Sequence, residues 1–566
     1  MRFTVSIALL YLFVSFAHAG SQVTVGTTES ILNDLMKKNV RASSTCTFLS
    51  GSGEKIPLLV EDFYLQDGLL SMSGKACESE NSMFILKGDV DEIYGWVLLK
   101  DRNIAYEYTT DAQKNVTVEQ VTVSRVLCVD DFGEQATGYN PNFPDFLYTT
   151  TPPVPHIGAY PGTNLNKLQS LPGAKKVLYL DITDIMNGET PKSQTKVDVW
   201  QSWQCVASGY SMYEVNVTTD KDVYQAAGVT NSGIAKFYNQ TGRSNSPVNA
   251  FGTTRSSTCY RYSNGYGTGR MTLHETGHLM GVYDYGGNPG GTYFVGFAEF
   301  KWVPVMGNMW YGDGWKEEAL YQWSKGEYNT ATTKADFLAV ANKNLPYRTD
   351  DIPATVPLKF TGTSQISMDN NYGQITPNTD SDGFTFEITS TTGQVDLKIS
   401  RIEYLGGGML DVDASILDET GKVVISNNPK AIRSATLKTD LPKGKYTLLI
   451  KGGAEGTPQT GFSTYGSLGY YGIEGTIVGG GTEITNKTIL TSRVRILPVH
   501  AGNQITIDLP GQVTIDDISI YSIDGKRVFH SKERVGSIDF SDFASGMYTV
   551  CIGIEGVNVV RKILKK

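Results

Sequence analysis

In the run His274-Glu275-Thr276-Gly277-His278-Leu279-Met280-Gly281-Val282-Tyr283-Asp284, two imidazoles and two carboxylates stand at intervals suited to metal chemistry. On a helix, residues four apart share one face, rotated by about 40° from each other. His274 and His278 can therefore reach a single zinc ion. Glu275 then faces the metal's open position, where it can take a proton from water whose pKa the metal lowers to about 7. An amphipathic helix with two surface histidines would show the same spacing. The extension by Gly281 and Asp284, in a chain with only six His, favours a zinc hydrolase. Gly281 accepts the left-handed conformation, so the helix can stop there and the chain can bring Asp284 back under the metal. No histidine follows His278 until His500. Asp284 is thus the expected third ligand; the alternative is a solvated loop aspartate with the ligand elsewhere.

With these residues the chain resembles the metzincin metallopeptidases, whose motif is H-E-x-x-H-x-x-G-x-x-H/D. Asp284 is the less common choice at the last position. Trp302-Val303-Pro304-Val305-Met306-Gly307 resembles the family's Met-turn, which places Met306 as a hydrophobic floor beneath the zinc histidines. Met309 competes for that role, and a plain core methionine is the alternative for either. Tyr311 is a further candidate beside the zinc, at a spacing that departs from the family's. Gln322-Trp323-Ser324-Lys325-Gly326-Glu327-Tyr328 is similar to the bacterial reprolysin-like peptidases.

The elements that must position this site belong to a long, multidomain chain. At 566 residues, three or four domains are expected. Residues 1–19 read as a signal peptide: Arg2, an apolar segment over 7–16, and Ala17-His18-Ala19 as the cleavage site. Residues 20–172 read as a mostly β pro-region, with apolar runs such as Ser82-Met83-Phe84-Ile85-Leu86-Lys87 and Gly95-Trp96-Val97-Leu98-Leu99-Lys100, and a proline-rich connector at 151–155. Residues 173–345 carry the zinc motif. A strand at 177–181, a helix over 200–207 and a strand over 213–218 suit an α/β metzincin-like catalytic domain. Residues 350–480 read as a β-sandwich that resembles the bacterial pre-peptidase C-terminal domain, followed by a Gly479-Gly480-Gly481 break. Residues 490–566 form a second small β-sandwich that resembles the C-terminal sorting domain of the type IX secretion system of Bacteroidetes.

The net charge of −9 argues against nucleic-acid partners, and no segment after the signal peptide is long enough to span a membrane. The resemblance implies a secreted zinc endopeptidase of a Gram-negative, Bacteroidetes-like bacterium, acting on proteins or peptides, exported by the type IX machinery and made as a latent proenzyme. One zinc ion is the expected cofactor, and Asp380-Ser381-Asp382-Gly383 is a loop where structural calcium could sit. A non-catalytic surface adhesin and a zinc amidase acting on a cell-wall polymer are the alternatives. Two local disulfides, Cys46–Cys77 and Cys205–Cys259, would leave Cys128 as a thiol able to fill the open zinc position. Asp130 or Asp131 could do so with a carboxylate, and a disulfide from Cys128 to Cys46 or Cys77 is the structural alternative.

Overall fold

In the computed structural model the described residues are 22–129, 165–480 and 494–565, apart from 67, 80, 187–192, 240–241, 261–264, 287–292, 309–318, 332–335, 403–407, 498–499, 502–503, 509–514, 534 and 555–556. The expected signal peptide, Asp130, Asp131, the proline-rich connector, Met309, Tyr311 and Gly481 lie outside them. The chain is multidomain and mostly β-sheet, with few helices among the described residues. None of those helices is long and apolar enough to cross a membrane.

The N-terminal unit is an eight-stranded antiparallel sheet over residues 23–121, a meander whose first strand (Val23–Thr27) pairs with its last (Asn115–Val121). Its apolar runs lack a polar face because alternate side chains enter two different cores. Phe84, Leu86, Val97 and Leu99 pack with Leu32 and Leu35 of the helix Thr28–Lys37. Ile85, Trp96, Leu98 and Ala105 point the other way, into the core of the central unit.

The central unit is built on β1 (Lys176–Asp181), α1 (Ser193–Gly209), β2 (Val215–Thr218), β3 (Ser232–Tyr238), β4 (Asn245–Pro247), β5 (Ser256–Tyr260) and α2 (Gly265–Met280). The sheet order is β2-β1-β3-β5-β4. The first four are parallel neighbours, and β4 is antiparallel at the edge. The strand Leu127–Val129 adds a sixth member outside β4, antiparallel to it, with Cys128 opposite Ser246. That strand follows the N-terminal sheet in sequence but belongs to the central one.

Residues 356–478 form a nine-stranded β unit. Instead of two separate sheets, two long antiparallel strands, Ser381–Arg401 and Ala435–Gly452, pair along nearly their whole length across a register shift between Ile388 and Thr392. This unit shares one continuous hydrophobic core with the central unit. Polar contacts seal the seam. Gln322 Nε2 donates to Met409 O at 2.6 Å and to Ser467 Oγ at 2.9 Å. Buried Arg433 pairs with Asp411 and Glu455 and donates to the Phe300 carbonyl. Residues 495–565 form a three-stranded and a five-stranded sheet around a separate core that includes Ile518, Phe540 and Val550.

Neither expected disulfide, Cys46–Cys77 or Cys205–Cys259, is formed. Cys46 pairs with Leu58 while Cys77 donates its N–H to the carbonyl of Pro57, so the strand Lys55–Gln66 runs between them. Two strand spacings amount to about 10 Å, beyond the Cα separation a disulfide spans.

Candidate metal centre

Helix α2 ends where the glycine permits. Gly281 has φ of +112°. Its N–H donates to His278 O at 2.8 Å, and the Val282 N–H donates to Gly277 O at 3.2 Å. This is a Schellman closure, which needs a residue tolerant of positive φ at that position. From there the chain turns back, and the Tyr285 N–H donates to Met306 O at 2.7 Å. Asp284, just before that anchor, is thereby drawn in beneath the histidines.

Both imidazoles are oriented through the ring nitrogen that faces away from the focus. His274 Nδ1 lies 2.9 Å from Val305 O, and His278 Nδ1 lies 2.7 Å from Val282 O. A carbonyl can only accept, so each Nδ1 carries the proton and each Nε2 presents a lone pair. The two Nε2 atoms are 3.1 Å apart. Asp284 Oδ1 is 3.1 Å from one and 3.3 Å from the other. Cys128 Sγ lies 3.1 Å from Asp284 Oδ2. Cys128, His278 and Asp284 each bring one donor atom within 4.8 Å of the others.

The donor set fits zinc. Ligands at about 2.0–2.1 Å from a tetrahedral ion are about 3.3 Å apart, close to the observed separations. The carbonyls of Val305 and Val282 supply the outer hydrogen bonds that a metal-bound imidazole requires. Burial by itself would raise the Asp284 carboxyl, but when the imidazoles take a second proton at Nε2, the charges of and hydrogen bonds from His278 and His274 outweigh it and hold the group well below the usual carboxylate range. A metal cation in place of those protons would act in the same direction. Glu275 lies on the same helix and is fully buried.

The expected methionine packs against the helix that carries both histidines. Val305 N–H donates to Gln322 O at 2.8 Å, and Gly307 N–H donates to Pro304 O at 2.9 Å, closing a tight turn that presents Met306. Met306 is fully buried against Gly277, between the two histidines in sequence; a Cβ at that glycine would lie 2.5 Å from Met306 Sδ.

The N-terminal unit reaches the site by two routes. Arg125 bonds the buried Glu107 at 2.7 Å and covers the Tyr283 ring at 5.6 Å, fixing the entry to the strand that carries Cys128. The same unit grips the loop that binds the end of α2. In that loop Asn249 N–H donates to His278 O at 2.8 Å and Phe251 N–H to Leu279 O at 3.0 Å. Trp96 Nε1 donates to Val248 O at 3.0 Å, Lys87 Nζ to Phe251 O at 2.7 Å and Ser71 Oγ to Gly252 O at 2.7 Å.

His274, His278, Asp284, Met306 and Cys128 are thus gathered in one place. Sequence reasoning missed the two carbonyls that set the imidazoles, because any residue carries a carbonyl and no side chain marks it.

Residues 495–566 match the secretion system C-terminal sorting domain. The chain is accordingly a cargo of type IX secretion in Bacteroidetes, destined for the outer surface or the medium. No curated protein matches it. Among solved structures, it is similar to the CBM51-2 and INT domains of ZmpB from Clostridium perfringens, at 8% identity over 40% of this chain and 82% of that chain, with a TM-score of 0.14. It is also similar to metalloproteinase-II from Bacteroides fragilis, at 10% identity over 46% of this chain and 87% of that chain, with a TM-score of 0.14. Similarity at that level is weak and carries no argument about activity.

Proposed function

We propose that this protein is a secreted zinc endopeptidase of the metzincin type, with residues 20–172 as its pro-region and Cys128 holding it latent. The observation that carries this reading is the convergence of His274 Nε2, His278 Nε2 and Asp284 Oδ1 at 3.1–3.3 Å from one another, with a thiol alongside. Those three side chains would hold the ion, and Cys128, whose Sγ lies 3.1 Å from Asp284 Oδ2, would be the residue that blocks it. A zinc ion bound there supplies Lewis-acid polarisation of the scissile carbonyl. Glu275 takes the proton of the attacking water and passes it to the leaving amine.

The edge strand supports a peptide substrate over a cell-wall polymer. Leu127–Val129 pairs antiparallel with β4. Once that strand withdraws, β4 offers a row of backbone donors and acceptors that an extended peptide can match. The same withdrawal removes the thiol. Latency and substrate exclusion are therefore one event.

The test compares full-length wild type, Cys128→Ala and Cys128→Ala/Glu275→Ala for zinc content and casein cleavage. Cys128→Ala should cleave casein and shorten itself without prior processing. The double variant should keep its zinc and fold while turnover falls by at least about 10²-fold. Substantial proteolysis without Glu275 would sink the mechanism; a fully latent Cys128→Ala proenzyme would rule out the thiol switch.

A further inference from the structure

We infer a calcium site, separate from the zinc centre, at the point where the chain leaves the central unit and enters the β unit, formed by Asp350, Asp380 and Asp382. One carboxylate oxygen of each lies within 4.8 Å of the other two. Asp350 comes from the connecting segment, some thirty residues before the other two, so folding rather than local sequence assembles the group. Among the described residues no Lys or Arg forms an ion pair with any of the three.

Asp382 is the observation that asks for a ligand. Its side chain is 0% exposed. Oδ2 accepts from the Tyr471 hydroxyl at 2.5 Å, whereas Oδ1 has no hydrogen-bond partner among the described residues. A buried carboxylate oxygen left without a partner is costly, and more so beside two further carboxylates. The surroundings hold the group in place. Thr376 N–H donates to Asp380 Oδ2 at 2.7 Å and Ile352 N–H to Asp350 Oδ1 at 2.8 Å. Gly373 leaves room for the Asp382–Tyr471 pair, since a Cβ there would lie 2.8 Å from Asp382 Oδ2.

The chemistry selects calcium. Three carboxylates from a connecting segment and a strand start offer only hard oxygen donors, which Zn²⁺ with its preference for nitrogen and sulfur does not favour. Calcium accepts irregular oxygen shells of six to eight ligands, completed by water, whereas Mg²⁺ demands near-octahedral geometry and gives up water reluctantly. The medium outside the cell supplies calcium at the concentrations such modules use. The bound ion would pin the connecting segment. Arg348 N–H donates to Met212 O at 3.0 Å and Gln374 Nε2 to Ser211 O at 2.6 Å, so the cluster lies beside the seam between the two units.

The test uses the full chain, freed of calcium and with zinc retained. Terbium should bind and luminesce on excitation of Tyr471, and calcium should displace it. About 10 mM calcium should raise Tm by about 5 °C. Asp380→Asn/Asp382→Asn should abolish both responses at unchanged zinc content. Asp350→Asn, in the part-exposed linker, should weaken calcium affinity at least about tenfold, and it decides the matter where the double variant fails to fold. A wild-type chain with neither response would overturn the site. So would responses that survive undiminished in Asp350→Asn, or stability that answers to pH but not to calcium.

Discussion

Gly277 and Met306 form a contact whose energetics can be worked through in both directions. A Cβ on Gly277 would lie 2.5 Å from Met306 Sδ, 3.1 Å from Trp323 Cζ3 and 3.3 Å from Met306 Cε. Gly277→Ala therefore overpacks a closed core, at a cost of about 1–3 kcal/mol. Against this, alanine in a helix interior is about 1 kcal/mol better than glycine. The net loss is about 0–2 kcal/mol. Met306→Ala removes a fully buried side chain and should cost about 2–5 kcal/mol. In the double variant the new methyl enters the vacated space, so the overpacking disappears while the helical gain remains. The pair should be less destabilised than the sum of the singles by about 1–3 kcal/mol. Thermal unfolding of the four zinc-loaded chains reads this as several degrees, at roughly 2–4 °C per kcal/mol. Met306→Ala should also let a competing chelator remove zinc more readily, because the helix that carries both imidazoles loses its packing at Gly277. Additivity to within about 0.5 kcal/mol would refute the direct contact.

Asp284→Ala should weaken zinc binding by orders of magnitude while Asp284→His retains it; metal content after dialysis against a chelator checks this, and wild-type affinity in Asp284→Ala would move the third ligand elsewhere. Lys87 donates to the Phe251 carbonyl, and burial brings its pKa from 10.5 down to about 7. The folded chain then binds fewer protons than the unfolded one between those values, so stability rises with pH across the window and its penalty is complete below about pH 7. Wild type should gain Tm relative to Lys87→Met between pH 7 and 9; equal slopes would remove Lys87 as the cause. Deleting residues 495–566 should leave the protein in the periplasm of its native host, measured by fractionation, and normal export of the truncated chain would contradict the sorting role.

The proposed metal ligands were legible because a helix converts sequence spacing directly into direction. His274 and His278 needed only a helix, and Gly281 needed only a positive φ. Met306 was legible through its turn, which is also local. Cys128 could be named but not placed. Its position depends on a three-residue strand joining the edge of another sheet, and that pairing leaves no pattern in Val126-Leu127-Cys128-Val129. The apolar runs at 82–88 and 93–99 marked strands without showing that their two faces serve different cores. Asp350 was invisible as a partner of Asp380 and Asp382 for the same reason: long-range pairing brings them together, and composition records nothing of it. The boundary between central and β units read as a change of domain, whereas the buried Arg433 cluster and Gln322 join the two into one core.

The two-faced strands of the N-terminal sheet make its departure a one-way step. Were that sheet to leave, Ile85, Trp96, Leu98 and Ala105 would be uncovered together. Trp96 is 0% exposed and hides on the order of 200 Å² by itself, a large part of the bare apolar patch that a soluble monomer ordinarily carries. A freed sheet of this kind is sticky and open to digestion, so it does not persist as a competitor at the site it vacated. Loss of the sheet would work like a fuse rather than a valve, and on the proposed function any later restraint of the site has to come from some other molecule.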